Sequence, residues 1–360
     1  MKFTTPEKIF LYKYKCETNS LLYHYFFKML SKRILNLIPV HIPGNLLTFA
    51  GHFCSWVAFA FMMGLFGDVK GYVTRSTYWF LFPALGILIY YTLDSIDGAQ
   101  ARRNNSSSPL GEFYDHWLDS FSSFMLPLGI ISVFDVNDYI SVPIIVAGVY
   151  AFWVTMWDQN KTEILKLRKI GAIEGVLIVV GFYSFSAVGG MQIWLVKDPI
   201  LGLSGLEYLA IIAFITLTVT SILPLLSNIA KFSQSLGLSL GLSLVLIWYL
   251  VLKNQPETQK FENSALILSL LGLIGCKYIG DMQRNRLIGT VYQTYDMTLI
   301  AFGVGLIISS IIIPKYKVQL LFGYLYLAVI IFKLAYQFFN TTSFISKKLG
   351  LNSLGLKLYE

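Results

Sequence analysis

The sequence predicts an all-α protein: a polytopic integral membrane helical bundle of about ten transmembrane helices, with an N-terminal amphipathic helix lying at the interface. Three observations carry that expectation. The 360 residues are 55% hydrophobic and only 13% charged, where soluble domains carry about 25% charged residues; the mean hydropathy is +0.62. Several apolar runs reach the roughly 18 residues that mark a membrane helix. The basic residues crowd into alternate connections between those runs, as expected of a chain threaded repeatedly through a bilayer.

Residues 1–45 precede the first span. Their charged, aromatic start lacks the apolar stretch and small-residue cleavage site of a signal peptide. Within them, Ser20 to Leu37 mixes Leu, Tyr and Phe with Lys28, Lys32 and Arg33, the composition of a helix in the headgroup layer. Ten spans follow, at roughly 46–66, 78–97, 110–134, 139–157, 173–195, 206–229, 234–252, 263–280, 296–313 and 318–338. Residues 339–360 form a tail. No soluble domain and no long low-complexity linker interrupts the series. Cys16, Cys54 and Cys276 lie far apart and read as isolated thiols, neither a disulfide framework nor a metal site.

An even number of spans puts both termini on one side. That side collects nineteen of the 28 Lys and Arg residues, against seven on the other, with Lys277 and Lys333 inside spans. The positive-inside rule makes the nineteen-residue side cytosolic, together with the 98–109 connection. The net charge of +8 then reflects topology and contact with anionic lipids, not nucleic-acid binding.

Four aspartates stand at the end of the second span and the start of the third: Asp94, Asp97, Asp115 and Asp119. The stretch reads D-x2-D-G-x2-A-R-x8-G-x3-D-x3-D. Carboxylates are costly beside a bilayer, and four together repel unless cations sit between them. A divalent metal site handling a phosphorylated substrate explains them. On a helix, Asp94, Asp97, Gly98 and Ala101 fall within an arc of about 100°. Gly98 and Ala101 leave that face without bulk, and Arg102 beyond them suits a phosphate. Ser108 is the expected N-cap of the third span, with Pro109 as its first residue. Gly111, Asp115 and Asp119 then share a face at i, i+4 and i+8. A hairpin of the two helices brings both carboxylate pairs to one membrane depth.

The Asp94–Asp119 stretch resembles, at all eight defined positions, the signature of the CDP-alcohol phosphotransferases (CDP-alcohol phosphatidyltransferases). The text from Asp97 to His116 resembles the choline/ethanolamine phosphotransferase branch, as do Tyr12-Lys13-Tyr14 and Pro43-Gly44-Asn45-Leu46-Leu47-Thr48. The likeness is strong over residues 12–120 and weak beyond about 180. It implies transfer of phosphoethanolamine or phosphocholine from CDP-ethanolamine or CDP-choline to diacylglycerol or a related lipid acceptor, with release of CMP. It implies Mg²⁺, with Mn²⁺ as a substitute. Asp94, Asp97 and Asp115 would bind metal, and Asp119 would be a further ligand or the base. Gly98, Ala101 and Arg102 would contact cytidine and diphosphate, with Gly111 and Asn45 beside the nucleotide. His116, which follows the third aspartate, and Glu174, after the fourth span, are the remaining catalytic candidates; the other reading of Glu174 pairs it with the basic cluster Lys161–Lys169. Residues 46–195 would then be the catalytic helices and 196–338 a C-terminal set of transmembrane helices. A homodimer is compatible with the resemblance. The membrane would be endoplasmic reticulum or Golgi in a eukaryote, the cytoplasmic membrane in a bacterium, with the site facing the cytosol.

Two departures from the branch stand out, one a single residue and one a pair. Ala99 stands where it has Lys, and Trp117-Leu118 where it has Gly-Cys. Trp117 lies between Asp115 and Asp119, so its bulk bears on the alcohol or lipid pocket. Among other readings, a transporter would place charges near the midplane in two related halves, but the acidic hairpin has no second copy. A non-catalytic scaffold would not need Asp at all four positions. A CDP-diacylglycerol-dependent member of the same family shares the motif and differs in which substrate carries the CDP.

Overall fold

A computed structural model of the chain describes residues 9, 12–20, 22, 28–167, 171–226, 233–254, 264–290, 292–352 and 354–356. In chain order the elements are β1 (Cys16–Thr18), α1 (Lys28–Leu37), α2 (Gly44–Met62), α3 (Val69–Arg75), α4 (Leu81–Arg103), α5 (Pro109–Phe134), α6 (Asp138–Thr162), β2 (Leu165–Leu167), α7 (Ala172–Gly189), α8 (Gln192–Leu195), α9 (Gly205–Leu226), α10 (Leu236–Lys253), α11 (Ser264–Ile288), α12 (Met297–Ile312) and α13 (Tyr316–Leu349). Eight of the described helices are long and apolar enough to cross a membrane; α7 and α12 are shorter apolar helices. The protein is an all-α polytopic membrane bundle, and each of the ten sequence spans overlaps an apolar helix.

The differences lie at the ends. α4 continues to Arg103, α11 to Ile288 and α13 to Leu349. Hydropathy falls there because Gln100, Gln283, Arg286 and Thr341 are polar. Yet these side chains are buried against protein, and the helical hydrogen-bond ladder continues regardless of what the side chains face. The 173–195 span breaks at Gly190, whose φ of 73° ends α7 in the left-handed region that glycine adopts without penalty. β1 pairs in parallel with β2. Three-residue strands carry no periodic signal, so the sequence does not announce them. Of the expected interfacial helix Ser20–Leu37, residues 21 and 23–27 lie outside the described residues, as do Arg168, Lys169 and the 227–232 connection. The described part, α1, exposes Met29 and Leu37. It is tied to the end of α4 by Arg103, whose guanidinium donates to the carbonyls of Leu35 (2.8 Å) and Ile38 (2.9 Å).

α2 and α4 pack closely because glycines line their contact. A Cβ on Gly44 would stand 2.6 Å from the Asp97 carbonyl oxygen, and one on Gly51 3.1 Å from that of Tyr90. Small residues let membrane helices approach where no hydrophobic force drives them together. α5 starts as the sequence predicts. Ser108 accepts from the Gly111 N–H at 3.3 Å, and Pro109 opens the helix. Pro127 and Pro143 sit inside α5 and α6, which a membrane bundle tolerates when neighbours satisfy the freed carbonyls.

Side-chain contacts separate two ends of the bundle. Tyr14 and His116, Glu112 and Gln159, and Asn45 and Gly355 meet at one end. At the other, Lys70 pairs with Asp135, and Lys253 with Asp138 at 3.0 Å. The grouping agrees with the alternation of connections expected from the span count.

Lys277 and Lys333, expected inside spans, are both paired. Lys277 reaches Asp281 at 2.6 Å and Asp296 at 2.8 Å, and Lys333 reaches Asp296 at 3.0 Å. Two positive and two negative groups cancel. This is the condition under which buried charges persist, since each alone would bear an unreturned desolvation cost. Gln337 joins the network to α5: its amide donates to Asp281 at 2.7 Å and accepts from the Trp117 indole at 3.0 Å. The bulky Trp117 is thus a tie between α5 and α13, packed also against Phe338 with the rings tilted and their centroids 4.8 Å apart.

Candidate metal and active site

Three helices build the site. α4 supplies Asp94 and Asp97 near its end, α5 supplies Asp115 and Asp119 within its first three turns, and α2 crosses both. The structure brings all four aspartates together. The ligating atoms of Asp94, Asp97 and Asp115 lie within 4.8 Å of one another, as do those of His52, Asp94 and Asp119. The two groups share Asp94. Asp94 Oδ1 is buried without a donor. Carboxylates so placed require positive charge between them. These side chains therefore fit a metal ion by charge, by donor type and by an unsatisfied oxygen.

The neighbours fix each carboxylate. The Thr48 hydroxyl donates to Asp97 Oδ2. The Tyr90 hydroxyl donates to Asp119 Oδ1 at 2.5 Å, and His52 Nε2 stands 3.3 Å from the same oxygen. The sequence alone does not single out Thr48, His52 or Tyr90. A signal for two of them exists, since Asn45, Thr48 and His52 fall at i, i+3 and i+7 and so form a polar stripe on an otherwise apolar helix.

Of the two small residues, Gly98 faces open space, whereas Ala101 lies against α2, where a Cβ on Gly44 would come 2.9 Å from the Ala101 methyl. A Cβ on Gly98 would meet only the Arg102 guanidinium, at 3.5 Å, and Arg102 is exposed. Gly111 and Asn45 lie together, because a Cβ on Gly111 would come 2.8 Å from Asn45 Oδ1. Asn45 Nδ2 is buried without a partner. The N-terminal segment joins this end. Tyr14 packs 6.2 Å from the His116 ring. Burial pushes the Tyr12 hydroxyl well up, with Arg286, Asp115 and Arg102 around it.

His116 is buried beside the cluster, its Nε2 3.6 Å from Asp115 Oδ2. Its Nδ1 faces the Gln283 amide at 3.1 Å and Glu112 Oε1 at 3.7 Å. Glu112 itself is held by Arg286 and by Gln159 (2.8 Å). Arg286 also reaches Glu163 at 3.2 Å. This Glu112–Arg286 pair links α5 to α11 behind His116, and no local pattern in the sequence points to it. Glu174 is occupied otherwise. Its carboxylate accepts from the Ser20 hydroxyl at 2.5 Å and from the Gly171 N–H at 2.9 Å, capping α7. Among the described residues no hydrogen bond or ion pair joins it to the aspartates. The Lys161–Lys169 alternative is described only in part, since Lys169 lies outside the described residues.

An apolar groove of about 420 Å³ opens next to Asp119, lined by Phe49, His52, Phe53, Trp56, Trp117, Leu118 and Phe338. Phe53 and Trp56 are exposed at its rim. A greasy molecule in the groove would therefore lie with its polar end at His52 and the carboxylates.

Fold and site together define a class: a membrane-embedded helical bundle with a carboxylate cluster of metal-binding type at one end and an apolar approach to it. Residues 40–196 match the CDP-alcohol phosphatidyltransferase family model. It is 30% identical over 191 residues to an uncharacterized CDP-alcohol phosphatidyltransferase class-I family protein of Schizosaccharomyces pombe, covering 52% of this chain and 49% of that one. It is 31% identical over 185 residues to human cholinephosphotransferase 1, covering 51% and 45%. With human ethanolaminephosphotransferase 1 it shares 30% identity over 208 residues, covering 54% and 51%. The chain spans about half the length of the curated relatives it matches.

Proposed function

We propose that the protein transfers a phosphoalcohol, phosphoethanolamine or phosphocholine, from a CDP-alcohol to the hydroxyl of diacylglycerol or a related lipid, releasing CMP. The observation that carries this reading is the meeting of four carboxylates with an apolar groove whose lining includes His52, 3.3 Å from Asp119. A soluble, multiply charged donor and a greasy acceptor need such a junction. The relatives named for cholinephosphotransferase and ethanolaminephosphotransferase activity support the substrate class.

Asp94, Asp97 and Asp115 would hold Mg²⁺, for which Mn²⁺ substitutes. The bound ion would offset the diphosphate charge that builds up as the bond to CMP breaks. Arg102 binds the diphosphate, and the bare backbone at Gly98 lets the nucleotide lie against α4, while the small Ala101 keeps α2 close beside it. Asn45 offers its free amide to the base or ribose. The groove holds the acyl chains and presents the glycerol hydroxyl to Asp119. With Tyr90 and His52 at Oδ1, Asp119 Oδ2 takes the proton as the hydroxyl attacks the β-phosphorus. His116 lies on the far side of Asp115 and orients that carboxylate. Purified protein with Mg²⁺, diacylglycerol and a panel of CDP-alcohols should release CMP in equal amount to the lipid formed. CMP release without a lipid product would count against the acceptor.

The Gly98 face gives a sharper test. A methyl group there meets only a flexible guanidinium in the protein, so Gly98→Ala should fold with an unchanged melting temperature. It should raise KM for the CDP-alcohol at least about 10-fold, the cost of about 1.4 kcal/mol of lost contact. An unchanged KM would remove the nucleotide from this face.

We place the site and both termini in the cytosol, on the Lys and Arg distribution. Ser107 is exposed in the α4–α5 connection. With Cys16 and Cys54 replaced, Ser107→Cys should react with an impermeant thiol reagent from the cytosolic face only. Labelling from the other face of sealed, oriented vesicles would refute the orientation.

A further inference from the structure

We infer that His52 is a nitrogen ligand for a second divalent cation, held with Asp94 and Asp119, and that this position favours a transition-metal ion of the Mn²⁺ type over Mg²⁺. The inference rests on the proposed metal site and adds to it a residue and a metal preference.

His52 is 1% exposed. Its Nδ1 is 2.9 Å from the Thr48 carbonyl oxygen. A carbonyl can only accept, so Nδ1 carries a proton, which in the neutral ring leaves Nε2 with a lone pair. That lone pair faces Asp119 Oδ1 at 3.3 Å, and Nε2 has no hydrogen-bond partner. Asp94 Oδ1, from the third residue of the group, is likewise buried and without a donor. Two acceptors turned toward each other in a buried space repel, and a cation between them removes the conflict. The ligating atoms of His52, Asp94 and Asp119 lie within 4.8 Å of one another.

The surroundings hold the imidazole as a ligand is held. Donation from Nδ1–H to a backbone carbonyl fixes the tautomer and aims Nε2, the arrangement common behind metal-bound histidines. The Tyr90 ring packs edge-on against it, centroids 4.8 Å apart, while the Tyr90 hydroxyl holds Asp119. The other group, Asp94, Asp97 and Asp115, offers oxygen alone. Oxygen-only sites suit Mg²⁺, whereas an imidazole nitrogen favours first-row transition-metal ions, of which Mn²⁺ is the weakest binder and the one that pulsed EPR reads. The two halves of the cluster thus differ in the ion they prefer, with Asp94 common to both.

The test uses the purified full chain loaded with Mn²⁺ and pulsed EPR, which detects nitrogen bonded to the ion. Wild type should show a directly bonded ¹⁴N. His52→Leu should abolish it and weaken Mn²⁺ binding by calorimetry at least about 10-fold, with Mg²⁺ binding little changed. His52→Gln, which keeps a polar group in the same space, should lose the ¹⁴N signal equally and serves if the leucine variant does not fold. His116→Ala should keep the signal. Mn²⁺ bound without ¹⁴N coupling in wild type would overturn the role of His52 and leave the carboxylate site standing. Coupling that persists in both His52 variants, or vanishes in His116→Ala, would also overturn it. No Mn²⁺ binding at all would instead defeat the proposed metal site.

Discussion

Asp94→Asn should reduce transfer at least about 10³-fold, the upper range for loss of one group that stabilises transition-state charge. Asp94 belongs to both ligand groups, so its replacement removes a ligand from each. The substitution keeps the size of the side chain and removes one negative charge from a crowded cluster. Metal-free Asp94→Asn protein should therefore melt no lower than metal-free wild type, because like-charge repulsion falls. That combination, a dead enzyme with an intact or firmer fold, separates a ligand from a structural carboxylate. EDTA should silence the wild type in the same way, and Mg²⁺ or Mn²⁺ should restore it. Full turnover in EDTA would end the metal hypothesis.

Asp119→Asn should lower kcat at least about 10²-fold, in line with the contribution of a general base, while CDP-alcohol affinity changes little. Its position motivates this. Asp119 stands 3.3 Å from His52, which lines the apolar groove, whereas the other three aspartates form the group that would hold the donor. His116→Ala should cost less, because His116 sits behind Asp115 with Nδ1 against Gln283. A His116→Ala enzyme that binds donor normally yet is inactive, beside a substantially active Asp119→Asn enzyme, would exchange the two roles.

Much of this architecture is legible in the sequence because the bilayer imposes it. A segment crossing a hydrocarbon layer must satisfy its backbone internally and cover itself with apolar side chains. Runs such as 110–134 consequently announce themselves. The four aspartates are equally legible, since their i, i+3 and i+4 spacings put them on helix faces whatever surrounds them. What is not legible is pairing across long separations. Glu112 and Arg286 are 174 positions apart, as numbered in the chain, and only packing of α5 on α11 joins them. The same holds for Trp117 and Gln337. Trp117 stands out in the sequence as bulk between two aspartates, but its role as a tie to α13 depends on where that helix lies. His52 illustrates a different loss. Hydropathy averaged over a span hides one imidazole among Phe49, Phe53 and Trp56, although its spacing from Asn45 and Thr48 marks a polar stripe. Glu174 shows the converse, a residue suggested by resemblance whose carboxylate the fold uses to cap α7 and hold Ser20.

The central claim is that the carboxylate cluster moves a phosphoalcohol intact from nucleotide to lipid. It is tested most directly with CDP-ethanolamine and CDP-choline labelled at the β-phosphorus, incubated with Mg²⁺, diacylglycerol and the purified protein. The label should pass into the lipid product with the alcohol still attached, and the CMP released should be unlabelled. Label recovered as free phosphoalcohol, or held in the nucleotide while lipid accumulates from another donor, would contradict it.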